Sequence, residues 1–193
     1  DNPSLSDDDN ALQQFEKTVS KKGNRYEVGW PWKGDEKTLT NNYGLSMGRL
    51  KTLLKRLRTD ETLFERYDET ITKQEELGII ERADHFIPQH RPVYYIPHQP
   101  VITPFKATTK LRVVYDASSK ASKKEVSLNE AIFRGPPILP QLCGMLLRFR
   151  LSPIIITADI EKAFLQVSLR EEDRDTTRFL WVKDRKYDVS KNN

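Results

Sequence analysis

The chain has 193 residues, with 37% hydrophobic and 31% charged, enough core for one domain or one and a half with much solvated surface. Lys and Arg number 32 against 28 Asp and Glu, leaving a formal charge of +4, a mild basic excess compatible with a polyanionic partner. No apolar run reaches the roughly 18–20 residues a membrane helix needs, the opening residues do not read as a leader, and a lone cysteine, Cys143, excludes an internal disulfide and fits a reducing compartment.

Ser6-Asp-Asp-Asp9 followed by Leu12, Phe15 and Val19 reads as a short amphipathic helix that Gly23 closes. Its acids suit the positive end of the helix dipole better than a metal. Arg25–Val28 is a short strand, and Gly29-Trp-Pro-Trp-Lys-Gly34 a packed loop whose two indoles cover apolar surface. Ser46–Arg58 is a helix with Met47, Leu50, Leu53, Leu54 and Leu57 on one face. Arg49, Lys51, Lys55, Arg56 and Arg58 lie largely on the other, a solvated exterior or a phosphate contact. Thr59-Asp-Glu caps a second helix through Phe64, Tyr67 and Ile71, which Gly78 ends.

From Phe86 to Pro104 five prolines exclude helix, leaving Tyr94–Ile96 and Val101-Ile102 as irregular edge strands. His85, His90 and His98 are unequally spaced among them and do not form a Cys/His metal cage. Leu111–Tyr115 is a clean strand, Ser118–Leu128 a polar loop, Ile138–Phe149 a helix and Arg178–Val182 a last strand. Between these, Ile154-Ile-Ile-Thr-Ala-Asp159 reads as a buried strand that ends on a lone acid. The chain then turns through Glu161–Ala163 and resumes as a strand at Gln166–Ser168.

A carboxylate at the mouth of a buried strand is costly to hold unless a positive group, usually a metal ion, sits opposite. A turn-capping aspartate is the plain alternative. Lys106-Ala-Thr-Thr-Lys110-Leu-Arg112 places basic residues at a hairpin tip. There they either solvate a surface loop or grip phosphate, Arg112 bidentately and Lys106 or Lys110 as point charges.

Several blocks fall in one ordered series: Arg25-Tyr-Glu-Val-Gly29, Asn41-Asn42-Tyr43, Glu75–Glu81, Tyr94-Tyr-Ile-Pro-His98, Lys110–Ser118, Leu128-Asn129, Pro137–Leu142 and Asp159-Ile-Glu-Lys-Ala-Phe164. Their order resembles that of LTR-retroelement reverse transcriptases, and their wording is most similar to the BEL/Pao group, from about Tyr26 to Asp184. The resemblance implies an α+β fold with N-terminal helices, a mixed or antiparallel fingers sheet and an incomplete palm. Residues 1–40 would be a connector following a protease-like region, 41–135 the fingers and 136–193 a partial palm. Asp159 would be the first catalytic carboxylate, and the Ile160 carbonyl a second ligand to the metal. Two Mg²⁺ ions would serve nucleotidyl transfer in the full enzyme. Arg112, with Lys106 and Lys110, would hold the triphosphate. Phe164 would lie beneath the incoming sugar and exclude a 2′-hydroxyl, or else fill core behind the turn.

The implied partners are an RNA or DNA template-primer, dNTPs and the remainder of the pol polyprotein, with no membrane. The implied setting is intracellular, in the cytoplasm or a virus-like particle, with the nucleus also open. The family's second catalytic block, an aromatic-x-Asp-Asp, is absent. Asp7–Asp9 stands at the wrong end, and Tyr187-Asp188 lacks flanking apolar strands. The expectation is therefore a fragment of a longer polyprotein, inactive alone. A non-catalytic nucleic-acid-binding module and a degenerate retroelement remnant are the rival readings.

Overall fold

The structure, a computed structural model, describes residues 5–34, 39–83, 91–103, 111–160, 162–187 and 189. Its largest core grows from two consecutive helices. α2 (Tyr43–Leu57) buries Ser46, Leu50, Leu53, Leu54 and Leu57, the stripe that a 3.6-residue period places on one face. It starts three residues earlier than the apolar spacing indicates. Asn42 takes a left-handed conformation there, φ 56°, which a short polar side chain tolerates, and its amide donates to the Tyr95 carbonyl and the Ser119 hydroxyl.

α3 (Glu61–Glu76) buries Leu63, Phe64, Tyr67 and Ile71. Its N-cap Asp60 accepts from the Leu63 N–H at 3.0 Å, a bond worth about 1 kcal/mol. Gly78, at φ 62°, ends the helix, and the N–H groups of Gly78 and Ile79 donate back to Glu75 and Gln74. An alanine there would carry the left-handed strain that glycine avoids.

The chain enters through α1 (Leu5–Thr18) and a hairpin of β1 (Ser20–Lys22) and β2 (Arg25–Val28). β5 (Val167–Leu169) joins β2 in parallel, Tyr26 opposite Val167 and Val28 opposite Leu169. A second sheet is antiparallel: β3 (His98–Ile102) pairs with β4 (Leu111–Tyr115), with His98 opposite Tyr115 and Val101 opposite Arg112. Leu111 and Val182 complete the helical core, with Val113, Phe179, Leu180 and Trp181 packed on it. A smaller cluster of Tyr94, Ile96 and Leu128 lies under Trp32, Tyr115 and Ala117. Short helices α4 (Leu128–Ala131) and α6 (Glu171–Arg174) and the longer α5 (Leu142–Phe149) complete the order. The described residues thus form an α+β fold with one mixed and one antiparallel sheet.

Strands Arg25–Val28 and Leu111–Tyr115 fall where the sequence puts them, and other expectations need correction. Gly23, at φ 62°, turns the β1–β2 hairpin rather than closing α1. Leu12 and Phe15 are exposed, because α1 packs through Ala11 and through Gln14, whose side chain donates to the Trp32 carbonyl. The helix expected from Ile138 begins only at Leu142, after Pro140, which disfavours helical geometry in the residue before it.

Ile154–Asp159 is an exposed irregular segment, not a buried strand. A strand exists only by pairing, and among the described residues no strand runs beside it. The second strand expected there shifts by one residue to Val167–Leu169, after a 3₁₀ turn at Ala163–Gln166. Phe179–Val182 lies outside any regular element. A bridge joins Arg178 to Tyr95, and beyond it β3 turns to pair with β4 instead.

Candidate functional site

Many of the sequence blocks meet in the folded body. Tyr95 accepts the Asn42 amide and the Ser46 hydroxyl through its carbonyl and donates its own N–H to the Asn41 carbonyl. Its ring meets that of Tyr43 edge-on, 5.1 Å between centroids. Asp116 ties the end of β4 to the basic face of α2 through Arg49 at 2.5 Å, and its N–H donates to the Pro97 carbonyl. Asn129 donates from its backbone to the Ala117 carbonyl and from its amide to the Ser118 hydroxyl. Arg25 donates to the carbonyls of Leu77 and Gly78, joining the first block to the end of α3, where the helix dipole favours a cation. The remainder of the α2 basic face, Lys51, Lys55 and Arg56, is exposed.

The residues nominated for chemistry are not brought together. Arg112 is exposed on β4, while Asp159 and Ile160 lie exposed in the irregular stretch before β5, on the other sheet. Phe164 sits in the 3₁₀ turn with 95% of its surface free, so in this chain it does not fill core behind the turn. Lys106 and Lys110 lie outside the described residues. From Pro137 to Phe164 nearly every described residue is exposed. This arm carries Ile138, Leu139, the whole apolar side of α5, Ile154, Ile156 and Ile160.

A two-ion site needs several oxygen ligands converging within a few ångströms. Among the described residues no three acids, histidines or cysteines gather that way. Asp159 and the Ile160 carbonyl alone do not fit a resident Mg²⁺, and no catalytic step follows from this chain by itself.

Two buried polar clusters escaped the sequence reading. In the first, the Asp173 carboxylate accepts the Trp30 backbone N–H at 2.8 Å and the Trp32 indole at 2.9 Å. The Trp30 indole donates to Thr176 at 3.0 Å. The two tryptophans therefore form a polar clasp on α6 as well as an apolar cover. Buried indoles need acceptors, so Trp30 and Trp32 were a signal that an acid lay opposite, though not which one. Gly29 allows the close approach, since a Cβ there would stand 3.0 Å from Thr18 and 3.2 Å from Asp173.

The second cluster centres on His98. Its Nδ1 lies 2.5 Å from the Tyr67 hydroxyl and its Nε2 2.8 Å from the Leu180 carbonyl. Burial pushes the His98 imidazole below its ordinary range and the Tyr115 phenol up to about 12. Burial, with a smaller push from Tyr115, also raises Tyr67.

The fold defines an α+β protein whose described helices are none of them long and apolar enough to cross a membrane. No family model, curated protein or solved structure matches the chain.

Proposed function

We propose that this chain is the fingers and first palm stretch of a BEL/Pao-type reverse transcriptase, acting within an RNA-directed DNA polymerase of a retrotransposon polyprotein. The ordered series of blocks from Arg25 to Phe164 carries the reading. The arm is in keeping with it: an apolar run that ends on an acid and has no strand beside it among the described residues is what a first palm strand without the rest of its sheet would present. In the complete enzyme Asp159 and the Ile160 carbonyl supply part of an Mg²⁺ site, and further carboxylates come from outside this chain. Arg112, with Lys106 and Lys110, neutralises the triphosphate. Phe164 leaves no room for a 2′-hydroxyl and so selects dNTPs. The setting is intracellular, in cytoplasm or particle.

The exposed cations of α2 favour a second reading, a nucleic-acid-binding module without chemistry. Both readings require weak, sequence-independent binding to a primer–template, and fluorescence anisotropy across a salt series checks it. Affinity falls steeply with salt, and replacing Lys55 and Arg56 by Ala flattens the log–log slope by about 0.9 for each phosphate that is no longer neutralised. Absence of binding at low salt contradicts both.

A further inference from the structure

Segment 178–182 packs on the core outside any ladder. Arg178 bridges to Tyr95, and its carbonyl accepts the Ile96 N–H at 2.7 Å. Among the described residues no ladder continues beyond that point. The next anchors are side chains: the His98 ring on the Leu180 carbonyl, and the Trp181 indole donating to Asp68 at 2.8 Å. A carbonyl only accepts, so Nε2 must carry the proton. In the neutral ring Nδ1 then accepts from the Tyr67 hydroxyl. This one tautomer joins α3, β3 and segment 178–182.

We propose that His98 is an acid-operated latch, whose imidazole holds segment 178–182 against α3 and the β3–β4 sheet while the ring is neutral and releases it when the ring takes a second proton. The proposal stands independently of the polymerase reading.

The surroundings of the ring set the direction. From α3 it meets Tyr67, stacked with centroids 5.8 Å apart. Asp68, next along α3, is engaged by the Trp181 indole and by Arg185 at 3.5 Å. From β4 it meets Tyr115, and from 178–182 Phe179 and Trp181. Arg178, the cation at the start of that segment, is ion-paired with Asp175 at 2.6 Å. Ser46 and Leu50 of α2 close the crevice beside the ring.

The described groups that touch the imidazole are thus aromatic, hydroxyl or carbonyl, and none of them bears a charge. A second proton would place a cation in this enclosure with Nδ1 turned from acceptor into donor, forcing the Tyr67 hydroxyl to reverse. The ring faces offer some cation–π attraction, but Phe179 meets the imidazole edge-on, 83° between planes. The Nε2 bond to the Leu180 carbonyl survives protonation and opposes release, so the drive is loss of hydration, which outweighs that bond and lowers the basicity of His98. Since the folded state resists protonation more than the free chain does, the latch is whole above about pH 6.5 and weakens as pH falls below it. One proton separates docked from released, so the release constant rises by up to about tenfold per pH unit.

NMR of the three tryptophan indoles between about pH 7.5 and about pH 5, a window that brackets the ordinary range of an imidazole, tests this. The Trp181 indole signal should move toward that of a solvated indole as pH falls. The Trp30 and Trp32 signals, fixed by Thr176 and Asp173, should hold still. His98→Gln, neutral throughout, should remove the pH response of Trp181. An unmoved Trp181 signal at pH 5, or an identical shift in His98→Gln, overturns the proposal. Should that variant fail to fold, the His98 C2–H resonance of the unaltered protein decides: titration in step with release of Trp181 supports the latch, and titration with Trp181 still docked overturns it.

Discussion

The helical body and the arm from Pro137 to Phe164 have comparable stocks of apolar side chains and opposite fates. In the body, α2 and α3 close on each other, and Leu57 and Tyr67 are wholly withdrawn from solvent. In the arm, Ile138, Leu139, Ile156 and Phe164 each keep at least 85% of their surface. The difference is one of partners rather than composition. A helix satisfies its own backbone and needs only one covering face. A strand needs a neighbour for every rung, and Ile154–Asp159 has none among the described residues. Local sequence suffices for the first case and not for the second.

The comparison breaks if truncations in the two regions have similar effects on stability. Phe64→Ala, in the body, should cost about 3–5 kcal/mol by lost burial and a residual cavity, read from urea midpoints at unchanged slope.

A smaller effect is expected at the clasp. Asp173→Ala leaves the Trp30 N–H and the Trp32 indole without their acceptor, at about 2–4 kcal/mol for two stranded donors. Asp173→Asn keeps one acceptor oxygen and should fall between. Equal losses from both variants would mean that the clasp acts by packing alone.

Glu130 sharpens the edge of the body. Lys120 at 2.7 Å, with help from Ser127, holds its carboxyl down to about 2. A depressed carboxylate stabilises fully above its unfolded value near 4.5 and loses that contribution as pH falls toward 2. Glu130 is half exposed to solvent, so the effect is small. Glu130→Gln should lower stability slightly at neutral pH, leave it unchanged near pH 2 and so flatten the acid limb of the stability–pH curve.

Smallest of all, Ile156→Ser on the arm should leave the unfolding midpoint within about 0.5 kcal/mol of the parent while reducing self-association, seen by sedimentation, since exposed apolar patches are sticky. A loss as large as that of Phe64→Ala would show that the arm is packed after all.

What could be read from the sequence follows the same division. α3 was legible because period, N-cap and terminal glycine agree within about twenty residues of each other, and α2 from its apolar period alone, which left its start three residues late. β2 and β4 were legible from short β-branched or aromatic runs. The arm misled, because Ile154–Asp159 has the composition of a buried strand and yet no strand lies beside it among the described residues. The clasp was illegible for a related reason: Asp173 lies 143 positions from Trp30, and no local rule selects it among the neighbouring acids. The His98 cluster was illegible too, because a histidine beside prolines gives no hint of a tyrosine 31 positions earlier. Among the described residues of the nominated site, Arg112 alone stands on a regular strand.

The central claim is that Asp159 is a polymerase carboxylate awaiting its partners. Mg²⁺-dependent primer extension by the full-length protein that carries this chain tests it most directly. The account predicts dNTP incorporation that Asp159→Asn abolishes without moving the unfolding transition, because an exposed acid contributes little to stability. Extension at the parental rate by Asp159→Asn would contradict it.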